Sequence, residues 1–337
     1  MVDQNGRLVS AGDWRPSAEL DALKARAGLL QATRAFFYAR HYMEVDTPCL
    51  AHAGTTDANI ESISAQSTGF GTLWLQTSPE FAMKRLLAAQ SGPIFQISHA
   101  FREGEAGRWH NPEFSLLEWY VPGFDHRRLM NEVEQFMRVV APDQEWPQRF
   151  AQRTYRDCFL EHLGIDPFVC GIEELAARAQ GLGLALDAQM TRDDWLDLLM
   201  GECIGPKLGM GTPCFITDYP ASQAALARVR PASAAASLED SFAVASRFEL
   251  YWQGLELANG FHELADAHEQ RRRFELDLTL RSAQNKQRPP VDEYLLGALQ
   301  AGLPDCAGVA VGMDRLLALL MGKNSLAPVL SFPIDRI

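Results

Sequence analysis

Residues 101–120 read FREGEAGRWHNPEFSLLEWY, which puts a guanidinium, a glycine-bearing loop, aromatic rings and several carboxylates in one short stretch. That set suits a nucleotide. Arg102 can face phosphate, Phe114 can offer a ring to a base, and Asn111 can supply a polar contact. The apolar run 94–98 and the alternation over 114–120 predict two strands around a polar loop. On the second strand, parity puts Phe114, Leu116, Glu118 and Tyr120 on one face and Ser115, Leu117 and Trp119 on the other. A carboxylate in such a row needs a partner if it is buried, although an exposed strand face with a loose salt bridge would read the same.

Three further stretches carry polar groups in suggestive places. In FELYWQGLELANGFHELADA (248–267), a turn at Gln253 and Gly254 would set Glu249 and Glu256 on neighbouring strands. Two close carboxylates suit a hard cation such as Mg²⁺, or they are an exposed strand pair. In GVAVGMDRLLALLMG (308–322), a strand ends at Gly312 and a helix begins with Arg315 in its first turn, where a cation opposes the helix dipole. Arg315 therefore has another task. Ser78, Pro79 and Glu80 read as a helix start, with serine as the cap and proline in the first helical position.

The elements that must position these groups follow from periodicity. Leu20, Leu23, Ala27, Leu30 and Phe37 predict a helix over 20–41, followed by a strand over 42–47 that Pro48 stops. A strand is expected at 73–76 and a helix through Leu87 after Glu80. The stripe Leu129, Val133, Phe136, Met137 and Val140 predicts a core-facing helix. Residues 141–246 carry helical runs near 172–180 and 193–200, a glycine-rich turn at 208–212 and an alanine-rich piece at 230–237. They read as an insertion with a mobile loop near 230–239, inside a single catalytic domain spanning 1–337.

The 337 residues are 47% hydrophobic, enough for a sizeable core, and the net charge of −12 gives no broad nucleic-acid footprint. The six cysteines show neither ligand-like spacing nor a disulfide framework. With no signal-peptide pattern and no long apolar run, the expectation is a cytoplasmic enzyme that uses no membrane.

The stretch 101–120 resembles motif 2 of the class II aminoacyl-tRNA synthetases, specifically the lysyl branch, in the spacing of Phe101 and Arg102 to HNPEF at 110–114. RAFFYARHYMEVDTPCL resembles motif 1, and 308–322 resembles motif 3. The resemblance implies an α+β fold with an antiparallel sheet flanked by helices, ATP and Mg²⁺, and a homodimer built on motif 1. It makes Arg102 and Arg315 catalytic and Glu249 and Glu256 the metal-binding acids. It gives Ser78, Pro79, Glu80, Glu118, Tyr120, Asn259, Glu263 and Ala310 to the amino acid. Glu103, Gly104, Glu105, Asn111, Phe114, Leu257 and Gly312, with Arg102, Glu256 and Arg315, go to ATP.

Two departures narrow the family. Gly104 stands where the synthetases carry the glutamate that reads the adenine amine, so either Glu103 or Glu105 takes over, with Glu105 the expected one, or adenine recognition is weakened. Ala310 adds a methyl where the synthetases have glycine, which should alter the isomer preferred against that wall. Motif 1 begins within the first fifty residues, so no anticodon-binding OB domain and no tRNA partner are expected. The chain thus resembles the elongation factor P lysine ligases, which implies activation of (R)-β-lysine with ATP and transfer to a lysine of elongation factor P. A lysine-activating enzyme that charges tRNA or a small amine, or a catalytically silent paralogue, would carry many of the same residues.

Overall fold

A computed structural model describes residues 14–184, 190–232 and 242–337; residues 233–239 of the loop expected at 230–239 lie outside them. Helix α1 (Leu20–Tyr38) leads through β1 (Met43–Glu44) and β2 (Leu50–Ala51) to the hairpin of β3 (Ser64–Ser67) and β4 (Gly71–Leu75). Next come α2 (Glu80–Ala88), β5 (Ile94–Phe101), β6 (Glu113–Pro122) and α3 (His126–Val140). The middle of the chain forms β7 (Ala151–Thr154), α4 (Tyr155–Leu163), α5 (Ile172–Gly181), α6 (Arg192–Leu199), β8 (Cys214–Pro220) and β9 (Val229–Pro231). The last part forms β10 (Ala243–Trp252), β11 (Leu255–His262), α7 (Ala267–Ala283), α8 (Glu293–Gly302), β12 (Cys306–Gly312) and α9 (Met313–Leu320).

One sheet runs in the order β1-β5-β6-β12-β11-β10-β8-β7, with β9 on β10, and β2-β4-β3 form a smaller sheet. The pairings from β5 through β8 are antiparallel, while β1 and β7 add parallel edges. This is the α+β architecture expected, an antiparallel sheet with helices against it.

Strand β6 separates the two faces. Leu117, Trp119 and Val121 enter a core with Phe36 and Phe37 of α1, Leu129, Val133 and Phe136 of α3, and Leu316 of α9. Glu118 and Tyr120 point the other way, toward a cleft. Burying a side chain the size of Phe37 is worth about 2 kcal/mol relative to exposure, and its ring stacks on Phe95 at 4.5 Å between centroids.

The buried face of α1 is not the stripe predicted from sequence. Ala22, Leu29, Thr33, Phe36 and Phe37 are buried, whereas Leu20 is 64% exposed and Ala27 is exposed. Two apolar stripes overlap on this helix, and the aromatic pair Phe36–Phe37 determines which one meets the sheet. The strand expected over 42–47 pairs only at Met43 and Glu44, although Val45 N still donates to Phe95 O at 2.9 Å. Helix α3 presents the predicted face, and Asp125 caps it by accepting from Arg128 N.

Residues 141–246 do two things. Capping boxes Thr154–Asp157 and Thr191–Asp194 start α4 and α6, which close a second core around Phe159, Leu175, Trp195 and Ile216. Strand β8 joins the large sheet beside β10, so the segment is continuous with the floor of the cleft.

Candidate active site

The site is built on one transverse row of the sheet. Register aligns Glu118 of β6 with Ala310 of β12, Ala310 with Asn259 of β11, and Asn259 with Glu249 of β10. Four residues far apart in sequence thus stand side by side, because side chains in register across a sheet share a face. The adjoining row carries Tyr120, Gly308, Phe261 and Arg247. A cleft of about 1480 Å³ covers both rows.

The hairpin that brings in Glu249 and Glu256 turns at Gln253 and Gly254, whose φ values of 53° and 75° are those of a two-residue turn matched to strand twist. Gly308 is required by close approach: a Cβ there would lie 2.1 Å from the Tyr120 ring and 2.7 Å from Glu263 Oε1.

Three carboxylates gather at one end of the cleft. Ser78 Oγ donates to Glu118 Oε1 at 2.6 Å and Tyr120 OH donates to Oε2 at 3.1 Å. Burial pushes the Glu118 carboxyl up to about 8, the charge of Glu80 adding to it and the two hydroxyls opposing. Glu263 is 1% exposed. Burial raises it to about 8 as well, against the pull of Lys84, whose Nζ lies 2.6 Å from Oε2. The same Nζ lies 2.5 Å from Glu80 Oε1. Glu263 Oε1 and Asn259 Oδ1 are buried with no hydrogen-bond partner among the described residues. Unmet acceptors of this kind are costly unless a ligand supplies the donor.

The other end carries cations and a ring. The Arg102 guanidinium lies 4.9 Å from the Phe114 ring centroid and pairs with Glu105 at 3.5 Å. Arg315 projects from the first turn of α9, where Trp109 O and Glu256 O accept from it at 3.2 and 2.9 Å and His110 Nε2 lies 2.8 Å away. These contacts answer the conflict with the helix dipole, since Arg315 is fixed by neighbouring loops.

The Glu256 carboxyl is raised, by burial first and then by the charge of Glu249. Glu249 is engaged by Arg247 Nη2 at 2.5 Å and by Tyr251 OH at 2.9 Å. Among the described residues no three His, Cys, Asp or Glu side chains converge on a metal site. Two carboxylates nevertheless suit Mg²⁺, which commonly takes one or two from protein and the rest from phosphates and water.

Most sequence-predicted residues line this single cleft: Ser78, Pro79, Glu80, Arg102, Glu105, Asn111, Phe114, Glu118, Tyr120, Glu249, Glu256, Leu257, Asn259, Glu263, Ala310, Gly312 and Arg315. Glu103 and Gly104 are not part of its wall. Glu103 N bonds to Glu61 O, and Gly104 makes the turn at a φ of 77°. Asn111 has both polar ends committed, donating to Glu113 O at 2.6 Å and accepting from Ile334 N at 3.0 Å, so its work is to hold the motif loop against the C-terminal segment. Ser78 is not the formal cap, since α2 starts at Glu80 after Pro79, but its hydroxyl accepts from Glu80 N at 3.0 Å.

Sequence reasoning missed Lys84 and Arg247. Lys84 is four residues after Glu80 on a helix, the spacing of an intrahelical ion pair. Arg247 is two residues before Glu249 on one strand face.

The family described as tRNA synthetases class II (D, K and N) matches residues 10–336. The elongation factor P–(R)-β-lysine ligase of Photobacterium profundum is 44% identical over 329 residues, covering 96% of this chain and 98% of that protein. Those of Salmonella typhi and Vibrio cholerae are each 45% identical over 336 residues, covering 98% and 97% of this chain and 100% of each relative.

Proposed function

We infer, for a chain that belongs to the elongation factor P–(R)-β-lysine ligase family of class II synthetase paralogues, how the residues of this cleft divide the work. The protein is an ATP-dependent ligase that joins (R)-β-lysine to elongation factor P. In the first step a carboxylate oxygen of β-lysine attacks the α-phosphorus of ATP and pyrophosphate leaves. In the second, the ε-amine of a lysine on elongation factor P attacks the acyl carbon, AMP leaves with the bridging oxygen, and the amine proton passes to solvent.

Arg102 faces the α-phosphate and Arg315 the far phosphates, each supplying positive charge where negative charge develops. Phe114 carries the adenine, and Glu105, already paired with Arg102, takes the place of the missing motif glutamate. Glu249 and Glu256 would hold Mg²⁺, which when bound supplies charge neutralisation on the pyrophosphate. Glu80, Glu118 and Glu263 receive the two ammonium groups, with the Tyr120 hydroxyl and Asn259 beside them.

The observation that carries this assignment is the buried, unpartnered Glu263 Oε1 in the wall of a cleft with two more carboxylates. Such an oxygen is completed by a substrate ammonium. A direct test is ATP–pyrophosphate exchange with purified protein and Mg²⁺. Exchange should depend on (R)-β-lysine and fall when Mg²⁺ is chelated; exchange at full rate with no amino acid would contradict the reading.

Ala310 lies in register between Glu118 and Asn259, so its methyl sits on the floor beneath the bound amine. Ala310→Gly is expected to narrow the preference for (R)-β-lysine over α-lysine by roughly fivefold, the worth of about 1 kcal/mol for one methyl. Unchanged ratios of kcat/KM for the two isomers would remove Ala310 from isomer selection.

Binding should also respond to pH. Glu118 and Glu263 are raised to about 8 by burial, so near pH 6 they are protonated and must lose a proton before pairing with an ammonium. Affinity for (R)-β-lysine should therefore rise with pH from 6 toward 8, by up to about tenfold per unit for each proton released. Calorimetry in buffers of different ionisation enthalpy would detect that release; flat affinity with no proton exchange would contradict it.

The homodimer expected from motif 1 is part of this proposal, and exposed Tyr38, Met43 and Leu50 on the motif 1 segment give it an apolar surface. So is a cytoplasmic location. Among the described residues no helix is long and apolar enough to cross a membrane.

A further inference from the structure

Lys84 is the buried cation of the lysine pocket, and its surroundings are unusual for an intrahelical pair. Its side chain is 2% exposed, and its single ammonium lies 2.5 Å from Glu80 and 2.6 Å from Glu263, two acids on different elements. Neither partner is spent by the contact. Both carboxylates also line the cleft, and Glu263 keeps Oε1 unpartnered there. Lys84 itself is not part of the cleft wall.

A cation behind the wall and acids within it amount to a charge count. Once Glu118 and Glu263 have released their protons to a bound substrate, Glu80, Glu118 and Glu263 set three negative charges against the one positive charge of Lys84, a net of two facing the substrate's two ammonium groups. We propose that Lys84 is a specificity-determining positioning residue, a built-in counter-ion that fixes Glu80 and Glu263 and matches the pocket's net charge to a diammonium substrate. This rests on the functional reading above and adds a residue that it does not contain.

The energetics favour the assignment. A pocket with three buried acids and no internal cation would hold protons in place of charge, because ionising adjacent carboxylates away from water is costly. Burial alone would discharge Lys84, but Glu263 and Glu80 raise its pKa and keep the ammonium charged. Glu263 faces Lys84 and Glu80 from α2, Glu118 and Tyr120 from β6, and Cys306 from β12, while Arg228 donates to its backbone oxygen at 2.7 Å. Of these, Lys84 is the cation at its carboxylate. Removing it shifts Glu263 toward the protonated form, which cannot receive an ammonium.

The test is calorimetric titration of (R)-β-lysine into the intact protein across pH 6–9, with ATP binding measured in parallel as the check on folding. Lys84→Met should weaken (R)-β-lysine binding at pH 7 by roughly a hundredfold or more, leave ATP binding within a factor of a few, and move the pH midpoint of β-lysine affinity upward. Lys84→Arg keeps the charge and should recover most of the affinity and the original midpoint. A cavity alone would weaken binding equally at every pH and would not shift the midpoint. Wild-type-like affinity and midpoint in Lys84→Met, or a pH-independent loss, would overturn the role of Lys84. Failure of the wild-type protein to bind (R)-β-lysine would instead overturn the functional reading on which it rests.

Discussion

Arg102→Ala is expected to reduce (R)-β-lysine-dependent pyrophosphate exchange by roughly a hundred- to a thousandfold, the usual cost of removing one preorganised donor from developing charge. The guanidinium meets the Phe114 ring at 4.9 Å and Glu105 at 3.5 Å, and its Nε is buried with no hydrogen-bond partner among the described residues. A buried donor left free in a cleft is poised for a ligand acceptor such as phosphate. The fold should survive, because the tie that Arg102 makes to its loop is through the backbone, N to Pro112 O at 2.9 Å. Circular dichroism and thermal melting would verify that. Undiminished exchange in a folded variant would sink the assignment of the 101–120 segment to phosphate.

Glu263→Gln carries the second large effect. The change keeps shape and removes the charge that faces both Lys84 and the substrate, leaving Lys84 with Glu80 alone. Truncating one partner of a buried charge pair costs about 2–5 kcal/mol, so the KM for (R)-β-lysine should rise by roughly thirty- to several thousandfold. The KM for ATP should hold, since Arg102, Arg315 and Phe114 are untouched. Equal rises in both constants would mean that Glu263 supports the whole cleft and not the amino-acid end.

These two residues also mark how far the sequence reaches. Arg102, Phe114, Glu118 and Tyr120 were legible because a period-two strand and a short polar loop assign faces without tertiary information. The Glu249–Glu256 hairpin was legible because its turn residues set the strand pairing. The row that aligns Glu118, Ala310, Asn259 and Glu249 was not, because it depends on the register of β12 with β6 and with β11, strands held apart by long stretches of chain. Local patterns do not encode such a pairing.

Lys84 was hidden for a different reason. A lysine four residues after a glutamate is ordinary helix-surface chemistry, and only the fold shows that this one is buried against Glu263. The face of α1 was misread because two apolar stripes overlap and the sheet chooses between them. In residues 141–246 the helical runs near 172–180 and 193–200 correspond to α5 and α6, whereas α4, opened by the capping box Thr154–Asp157, was not expected, and the addition of β8 to the sheet beside β10 required the partner strand.

The most direct measurement is the intact mass of elongation factor P after incubation with this protein, ATP, Mg²⁺ and either (R)-β-lysine or α-lysine. The account predicts addition of a single β-lysyl unit, formed faster than the α-lysyl product and absent with Arg102→Ala. An unmodified elongation factor P beside active pyrophosphate exchange would contradict the acceptor, and equal products from both isomers would contradict the pocket.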